Sequence, residues 1–334
     1  MAKLEAYPSV SVILPVLNEE HHLELAVRSI TSQNYPGTLE ILLALGPSRD
    51  KTNEIAASLA ASDPRIRLID NPDGRTTVGM NKSIAAADYE IIVRVDAHSE
   101  LGENYLQRGV EILLEVGADE LGGIMDARGR SSFQKAVAWA YTSRFGVGGA
   151  NYHVGGEAGE AESAYMGIFK RDALKRVNGY DESIIRGEDW NLAQRIKASG
   201  GLVWFTPELR TTYWPRGRFD KLVKQFWSTG VWRGELTRRD LKGASIRYFA
   251  PPILVLAILI GLIVLAAGWL PGVMPFAAYL AGVAALAVTA KGLSVKARVA
   301  LMIALPTIHI SWGAGFWLGL IRGAKKTIDR SRVN

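Results

Sequence analysis

Short apolar runs alternate with longer amphipathic stretches through the first hundred residues. This alternation predicts strands and helices in turn, which is typical of a parallel α/β sheet covered by helices on both faces. The predicted strands are residues 10–17, 39–45, 66–70 and 89–95, and the predicted helices are residues 18–30, 52–60 and 77–87. Ligands bind at the carboxyl ends of such strands. Polar clusters follow those ends at residues 18–20, 46–52, 71–82 and 96–98.

A glycine-rich segment interrupts the pattern in the middle of the chain. Residues 146–159 contain six glycines around Asn151, Tyr152 and His153, and we expect a mobile loop that acts as a lid. Regular patterning then returns, with Asn178-Gly179 capping one helix. The expected elements are a strand at 164–170, a helix at 171–177, a helix from Glu188 to Gly200-Gly201 and a strand at 202–205.

Apolar residues at helical spacing mark the start of the C-terminal third. Basic residues flank this stripe, so two compatible interpretations stay open: a helix packed on the catalytic domain, or an interfacial helix lying in lipid headgroups. The stripe consists of Phe219, Leu222, Val223, Phe226, Trp227, Gly230 and Val231. Its basic neighbours are Arg216, Arg218, Lys221, Lys224 and Arg233.

Long uncharged runs follow the stripe. Residues 248–290 comprise 43 residues without a charge, enough for two membrane spans of about 20 residues that turn at Leu270-Pro271-Gly272. A third uncharged run covers 23 residues. The predicted apolar segments are about 249–269, 273–290 and 299–321.

Charge is distributed unevenly along the chain. Residues 1–215 carry 22 basic and 29 acidic side chains, whereas residues 216–334 carry 17 basic and four acidic ones. The basic excess coincides with the apolar runs, which favours membrane lipids as a partner and disfavours nucleic acid. We found no secretory signal at the N-terminus, so we expect the N-terminal domain in the cytoplasm and the chain integral to the cell (inner) membrane. The absence of cysteine excludes disulfides and thiolate chemistry.

These observations divide the chain into four parts. We expect a catalytic domain at 1–215, a basic interfacial segment at 216–247, a membrane region at 248–321 and a basic tail at 322–334. A cytoplasmic catalytic domain and a two-span hairpin place the short basic segment after residue 290 inside, as the positive-inside rule requires. A complete third span would place the basic tail outside. We therefore expect a cytoplasmic C-terminus, with the third run broken at Pro306, His309 or Gly313 into a re-entrant or interfacial segment.

Asp96-Ala97-His98 follows the fourth predicted strand. In an extended segment the first and third residues lie on one side, where a carboxylate and an imidazole can hold one divalent ion. Mg²⁺ or Mn²⁺ fits this donor set when diphosphate oxygens and water complete the shell. An ordinary turn at a strand end is the alternative, and the position after the fourth alternating strand favours the metal site.

Glu188-Asp189 begins a predicted helix. Two acids at a helix N-terminus are favourable by themselves, because they offset the helix dipole. A positioned carboxylate can also take the proton from an attacking hydroxyl group. The periodicity of the sequence is compatible with both roles, the stabilising helix-terminal charge and the proton acceptor.

Four motifs in this order resemble those of glycosyltransferase family 2. They are Ser11-Val-Ile-Leu-Pro-Val-Leu-Asn-Glu-Glu20, Ser48-Arg-Asp-Lys-Thr52, Asp96-Ala-His98 and Arg186-Gly-Glu-Asp-Trp190, and the resemblance spans about residues 9–215. The histidine in the third motif, the glycine-rich 145–149 segment and the three apolar runs are most similar to its succinoglycan-type exopolysaccharide branch. The resemblance implies a GT-A fold, an α/β architecture with a Rossmann-like mixed sheet, followed here by C-terminal transmembrane helices.

The resemblance also implies roles for individual residues. Asp189 is the expected catalytic base and Glu188 supports it, while Asp96 and His98 are the expected metal ligands. Trp190 and His153 are expected at the acceptor. The expected donor-binding residues are Pro15, Asn18, Glu19, Ser48, Asp50, Asn81, Lys82 and Asp96.

The implied reaction is inverting transfer of one sugar from a nucleoside-diphosphate sugar to a lipid-linked or saccharide acceptor. The family often carries acids before the second motif where this chain has Ala44-Leu45-Gly46, so uridine specificity is not implied. Gln225-Phe-Trp-Ser-Thr229 differs from the Q-x-x-R-W of processive synthases, which favours single additions. The alternatives are a polyprenyl-phosphate sugar transferase and a membrane-bound nucleotide-sugar-binding scaffold without activity.

Overall fold

The computed structural model describes residues 6–241 and 244–324. The contacts within it define two compact units. One comprises residues 1–126 and 150–213, and the other comprises residues 127–149 and 214–334. The unit boundary after Tyr213 lies close to the expected boundary at residue 215, whereas residues 127–149 group with the C-terminal helices instead of the expected catalytic domain.

Strands in the described part of the chain form one mixed sheet. Its order is β3-β2-β1-β4-β8-β6-β9-β5, and β7 pairs with β9. The strands are β1 (Val10–Val16), β2 (Leu39–Leu45), β3 (Ile66–Asp70), β4 (Ile91–Arg94), β5 (Ser99–Leu101), β6 (Glu120–Ala127), β7 (Gly159–Glu160), β8 (Ile168–Lys170) and β9 (Val203–Tyr213).

The helices account for most of the remaining chain. They are α1 (Leu23–Thr31), α2 (Thr52–Ser62), α3 (Thr76–Ala86), α4 (Tyr105–Glu115), α5 (Ser132–Tyr141), α6 (Asn151–Val154), α7 (Arg171–Arg176), α8 (Glu188–Ala198), α9 (Phe219–Arg239), α10 (Ala250–Ala266), α11 (Met274–Thr289) and α12 (Val295–Arg322). Two 3₁₀ turns, Ile246–Phe249 and Leu270–Val273, precede α10 and α11.

The mixed α/β fold predicted from the sequence is confirmed. Strands β3, β2, β1 and β4 are parallel, whereas β8 pairs antiparallel with β4 and with β6. Every residue of β1 is buried, as expected for a strand covered on both faces. A core of Ile13, Leu42, Ile92 and Phe169 lies against residues of α3 and α8. This packing brings the start of α8 to the sheet.

Several expected boundaries are wrong in detail. Helix α1 begins at Leu23, because residues 17–22 form a turn held by hydrogen bonds to the loop after β2. The strand expected at 164–170 is confined to Ile168–Lys170. The last strand extends to Tyr213, since β5 pairs with its distal half. The segment at 146–159 contains the four-residue helix α6.

The second unit is built from α5 and α9–α12. Three helical stretches in it are long and apolar enough to cross a membrane: Ile246–Ala266, Leu270–Thr289 and Val295–Arg322. Half of the most apolar window of the third is buried inside the protein, against 22% and 17% for the first two. The expected break is wrong, because α12 continues through Pro306 as one helix of 28 residues.

Glycines hold α9 and α12 in close contact. A Cβ atom on Gly230 or Gly234 of α9 would collide with the carbonyl oxygens of Trp312 and Phe316, respectively. Gly315 and Gly319 of α12 stand in the same relation to carbonyl oxygens of α9. The stripe from Phe219 buries Leu222, Phe226 and Val231, and α9 packs on α12 of its own unit, whereas the first interpretation expected packing on the catalytic domain; Phe219 itself is exposed.

Candidate active site

Two loops at the carboxyl ends of β1 and β2 are tied together by hydrogen bonds. The amide of Asn18, in the left-handed region at φ 54°, donates to Ser48 Oγ over 3.1 Å, and the amide of Glu19 donates to Thr52 Oγ1 over 2.7 Å. Asp50 accepts from the amide and the hydroxyl of Thr52. Burial raises the pKa of Asp50, but these hydrogen bonds bring it below its ordinary value. Ser48 and Asp50 thus shape the loop that presents Glu19, and their expected contact with a donor stays a prediction.

Asp96-Ala97-His98 forms a β-turn, so the expected extended geometry is wrong. Strand β4 ends at Arg94, and Val95 separates it from the turn, which begins at Asp96. The amide of Ser99 closes the turn by donating to the carbonyl of Asp96 over 2.9 Å. The Asp96 side chain faces Arg94, whereas the His98 side chain faces Glu19. The turn therefore gives the two expected ligands different neighbours.

The environment of His98 suits a metal ligand. Its Nδ1 lies 3.1 Å from Glu19 Oε1, and both side chains are largely buried. Metal-binding histidines commonly donate one ring N–H to a carboxylate, which fixes the tautomer and leaves the other nitrogen for the ion. Together with the Asp96 carboxylate this is a donor set that fits Mg²⁺ or Mn²⁺. No cluster of three or more such side chains occurs among the described residues, so an ion here would need diphosphate or water ligands as well.

Arg94, the last residue of β4, connects the turn to the acidic pair. Its Nε and Nη2 donate to Asp96 Oδ1 over 3.2 and 3.1 Å. Nη2 also lies 3.1 Å from Glu188 Oε1, and Nη1 contacts Asp189 Oδ1. The structure thus brings three of the predicted site residues together around one guanidinium group.

The acidic pair lies in the first turn of α8. Gly187, at φ 79°, reverses the chain immediately before the helix and directs Glu188 and Asp189 toward the end of β4. The next residue, Trp190, is buried and donates from Nε1 to Glu162 Oε1 over 2.9 Å. Its expected contact with an acceptor stays a prediction.

A further buried acid, Glu120, lies on strand β6, two strands from β4 in the sheet. Burial, reinforced by the charge of Asp189, raises its pKa well above the ordinary value. Glu120 is 1% exposed. Its Oε2 atom has no hydrogen-bond partner among the described residues. Neither Arg94 nor Glu120 was among the predicted site residues.

The remaining predicted residues lie on elements around this cluster. Asn81 on α3 binds the backbone of Tyr180 through both ends of its carboxamide, at 2.8 and 2.9 Å. Lys82 donates to the carbonyl of Asp70 at the end of β3. Pro15 is buried within β1, and His153 is buried in α6 with its ring tilted by 45° against that of Tyr152. Their donor and acceptor roles stay predictions.

One signal in the sequence pointed to Arg94. The strand Ile91–Arg94 continues into Val95, and an arginine is the single charge in this apolar run. Fully buried arginines are rare unless they are paired, so a charge at that position indicates acidic partners nearby. The sequence does not show which acids these are, because α8 lies almost a hundred residues further along the chain.

Comparison with known proteins identifies the family of this chain. The sequence profile described as "Glycosyl transferase family 2" matches residues 11–177. The succinoglycan biosynthesis protein ExoA of Rhizobium meliloti is 31% identical over 93% of this chain and 94% of its own length. A Methanococcus voltae dolichyl N-acetyl-α-D-glucosaminyl phosphate 3-β-D-2,3-diacetamido-2,3-dideoxy-β-D-glucuronosyltransferase is 23% identical over 94% of this chain and 98% of its own length.

The fold also matches a solved structure. The mannosyltransferase PcManGT from Pyrobaculum calidifontis, in complex with GDP-Man and Mn²⁺, superposes with a TM-score of 0.67 at 21% identity. The match covers 95% of this chain and 88% of that protein. With the family profile and the similarity to ExoA along nearly the whole length, the assignment is firm. The chain belongs to glycosyltransferase family 2 and is a glycosyltransferase.

Proposed function

We propose that the protein is an inverting glycosyltransferase that moves one sugar from a nucleoside-diphosphate sugar to a hydroxyl group of a lipid-linked acceptor. The observation that carries this proposal is the meeting of Asp96 and Asp189 on Arg94. It puts a donor-side carboxylate and a candidate base at one point of the sheet edge. Similarity to ExoA supports a role in polysaccharide or glycolipid biosynthesis.

A cleft at the carboxyl ends of the parallel strands is a candidate site for the nucleotide. The cleft, of about 360 Å³, lies at the carboxyl ends of β2 and β3, lined by Gly46, Pro47, Asn53 and Asp70 among others. Adjacent strands are about 4.8 Å apart, so β4, two strands from β2, ends roughly 10 Å away. An extended nucleoside diphosphate spans a comparable distance. The base would occupy the cleft, and the diphosphate would reach Asp96 and His98.

The chemistry then follows from the carboxylates. Asp189 takes the proton of the acceptor hydroxyl as its oxygen attacks the anomeric carbon, and the bond to the diphosphate breaks with its electron pair leaving on the diphosphate. Attack opposite to the leaving group inverts the anomeric configuration. A divalent ion bound at Asp96 and His98 would neutralise charge on the departing diphosphate. Glu188 supports Asp189, and Trp190 and His153 contribute to the acceptor site.

The apolar helices support a membrane location. Helices α10 and α11 expose long apolar side chains on most of their surface, as membrane-inserted helices do. A lipid-linked acceptor would be held where such helices meet the bilayer surface. We infer that the protein is integral to the cell membrane with its catalytic unit on the cytoplasmic side, where nucleotide sugars are made.

A panel of donors tests this function. Purified protein in detergent is screened for thermal stabilisation by nucleoside diphosphates and their sugars, with Mn²⁺ or with EDTA, and then assayed for transfer to lipid extracts. We expect one nucleotide to stabilise the protein only with the metal, and its sugar to reach a glycolipid hydroxyl with inverted configuration. Transfer to a lipid phosphate would instead identify a polyprenyl-phosphate sugar transferase. Donor binding without any transfer would indicate a scaffold.

A further inference from the structure

Arg94 is a charged residue at a position that the fold makes apolar. It ends β4 between Val93 and Val95, both fully buried, and its own side chain is 3% exposed. Transferring an unpaired charge to such a position is very costly, so the surrounding acids must compensate. Burial lowers the pKa of Arg94, but Asp189 and Asp96 together raise it above the ordinary value, and the group stays a cation.

The contacts of Arg94 use the shape of its guanidinium group. Nε and Nη2 both donate to one oxygen of Asp96. Nη1 also contacts Asp189, and Nη2 also donates to Glu188, both in α8. The planar fork serves three carboxylates in fixed directions, which the single ammonium of lysine is unable to do. The centroid of the Tyr180 ring lies 5.8 Å from the guanidinium carbon, on the face of the ring. The acids therefore take their positions from one rigid group.

The partners of Arg94 come from separate parts of the chain. Asp96 belongs to the turn after β4, which the proposed function assigns to the donor, and Asp189 belongs to α8, which it assigns to proton removal. In transfer by direct displacement, the base and the leaving group must lie on opposite sides of the anomeric carbon at a fixed separation. A displacement of about 1 Å can lower the rate about 100-fold. Arg94 contacts both acids directly.

We propose that Arg94 is a positioning residue for sugar transfer, which holds the base Asp189 in register with the donor-side carboxylate Asp96. The inference rests on the proposed function, because it presupposes that Asp189 acts as the base. In this scheme Arg94 itself contacts neither the donor sugar nor the acceptor. Its effect on the rate passes through Asp189, which distinguishes it from a residue that only stabilises the fold.

A double-mutant cycle on kcat tests the inference. The protein with the identified donor and lipid acceptor is compared with Arg94→Lys, Asp189→Asn and the double variant. Arg94→Lys keeps the charge but loses the fork, so we expect kcat to fall about 100-fold while the donor KM and metal-dependent donor affinity stay within about threefold. In the Asp189→Asn background the same change should cost less than about threefold, because no base remains to be positioned.

Arg195→Lys is the matched control. Arg195 also lies on α8, but it donates to the carbonyls of Val177 and Gly179, at 2.6 and 2.7 Å, away from the acidic pair. We expect it to lower the thermal midpoint and to change kcat by a similar small factor in both backgrounds. If Arg94→Lys is poorly folded, Arg94→Gln, which keeps a planar group with hydrogen-bond donors, runs the same cycle.

The outcomes separate the inference from the proposed function. Equal losses from Arg94→Lys in the presence and absence of Asp189 would overturn the inference and leave the transferase standing, since Arg94 would then act independently of the base. A loss confined to donor KM would overturn it in the same way. Absence of donor binding and of transfer in the unmodified protein would overturn the proposed function, and the inference with it.

Discussion

At the scale of single residues, the site is organised around one buried cation, Arg94, which contacts Asp96, Glu188 and Asp189. Asp96, Glu188 and Asp189 were identified from the sequence, and the structure brings them together. Arg94 was not predicted as a site residue, because its role depends on Glu188 and Asp189, about 95 positions further along the chain. Glu19 is an expected donor-binding residue, which stays a prediction, and the structure adds that its carboxylate faces His98.

The contact between Glu19 and His98 leads to a test of the metal site. We expect Glu19→Gln to weaken Mn²⁺-dependent binding of a nucleoside diphosphate about 10-fold, since loss of such a carboxylate partner typically costs about 10- to 100-fold in metal affinity. Calorimetric titration with Mn²⁺ and with EDTA measures this. Glu20→Gln is the control, because Glu20 binds the amide of Lys51 and the edge of His21. Equal affinities in all three proteins would show that the Glu19 carboxylate does not support a metal ligand at His98.

Glu120 provides a test of electrostatics through pH. Its pKa is raised in the folded protein, so the folded state holds the proton more tightly than the unfolded state does. Its contribution to stability is therefore largest below the ordinary pKa of about 4.5 and declines as the pH rises above it. We expect Glu120→Gln to melt like the parent at pH 4.5 and above the parent at pH 8. A variant that melts lower at pH 8 would show that the ionised carboxylate stabilises the fold.

At the scale of elements, periodic patterns were the most reliable guide. The predicted β2 and β3 coincide with the observed Leu39–Leu45 and Ile66–Asp70, because continuous apolar runs between polar turns leave little freedom. Helix α12 was expected to break at Pro306, yet packing against α9 holds it as one helix. Tertiary contacts outweigh the lost backbone hydrogen bond, and those contacts are not visible in a local pattern.

The crossing of α9 and α12 predicts a sharp difference between two glycines. Gly319→Ala places a methyl group against the carbonyl of Val231, and overpacking of this kind costs about 1–3 kcal/mol. Gly282→Ala in α11 meets nothing within 4 Å and removes a poor helix former, so it should be neutral or stabilising by up to about 1 kcal/mol. Thermal unfolding in detergent compares the two variants. Equal midpoints would contradict the close α9–α12 contact.

At the scale of the whole molecule, composition predicts a catalytic part and a membrane part, and this division stays a prediction. The sequence assigned residues 127–149 to the catalytic domain, whereas α5 within them groups with the C-terminal helices. The sequence of a single amphipathic helix of ten residues does not show which unit the helix packs with. The basic tail from Lys325 onward, which entered the topology argument, lies outside the described residues.

The second unit also bears on membrane topology. Helix α9 carries Arg238 and Arg239 with Glu235 and is too charged to cross a bilayer, and the C-terminal half of α12 packs along it as far as Gly323. We therefore expect the C-terminus on the cytoplasmic side although α12 is unbroken. A green fluorescent protein fused after residue 334 should be bright and an alkaline phosphatase inactive there. Phosphatase activity at that position would show that α12 crosses completely.

A paired measurement on Asp189→Asn tests the central claim most directly, namely that the acid at the start of α8 removes the acceptor's proton beside a separate donor site. The amide is almost the same size and Arg94 keeps Asp96 and Glu188, but the buried guanidinium group loses one charge partner, so we expect the variant to stay folded with a loss of stability of up to about 3 kcal/mol. Donor affinity should match the parent, while transfer falls about 100- to 10,000-fold, as general-base loss does. Glu188→Gln should lose less. Near-normal transfer by Asp189→Asn, with donor binding intact, would contradict the account.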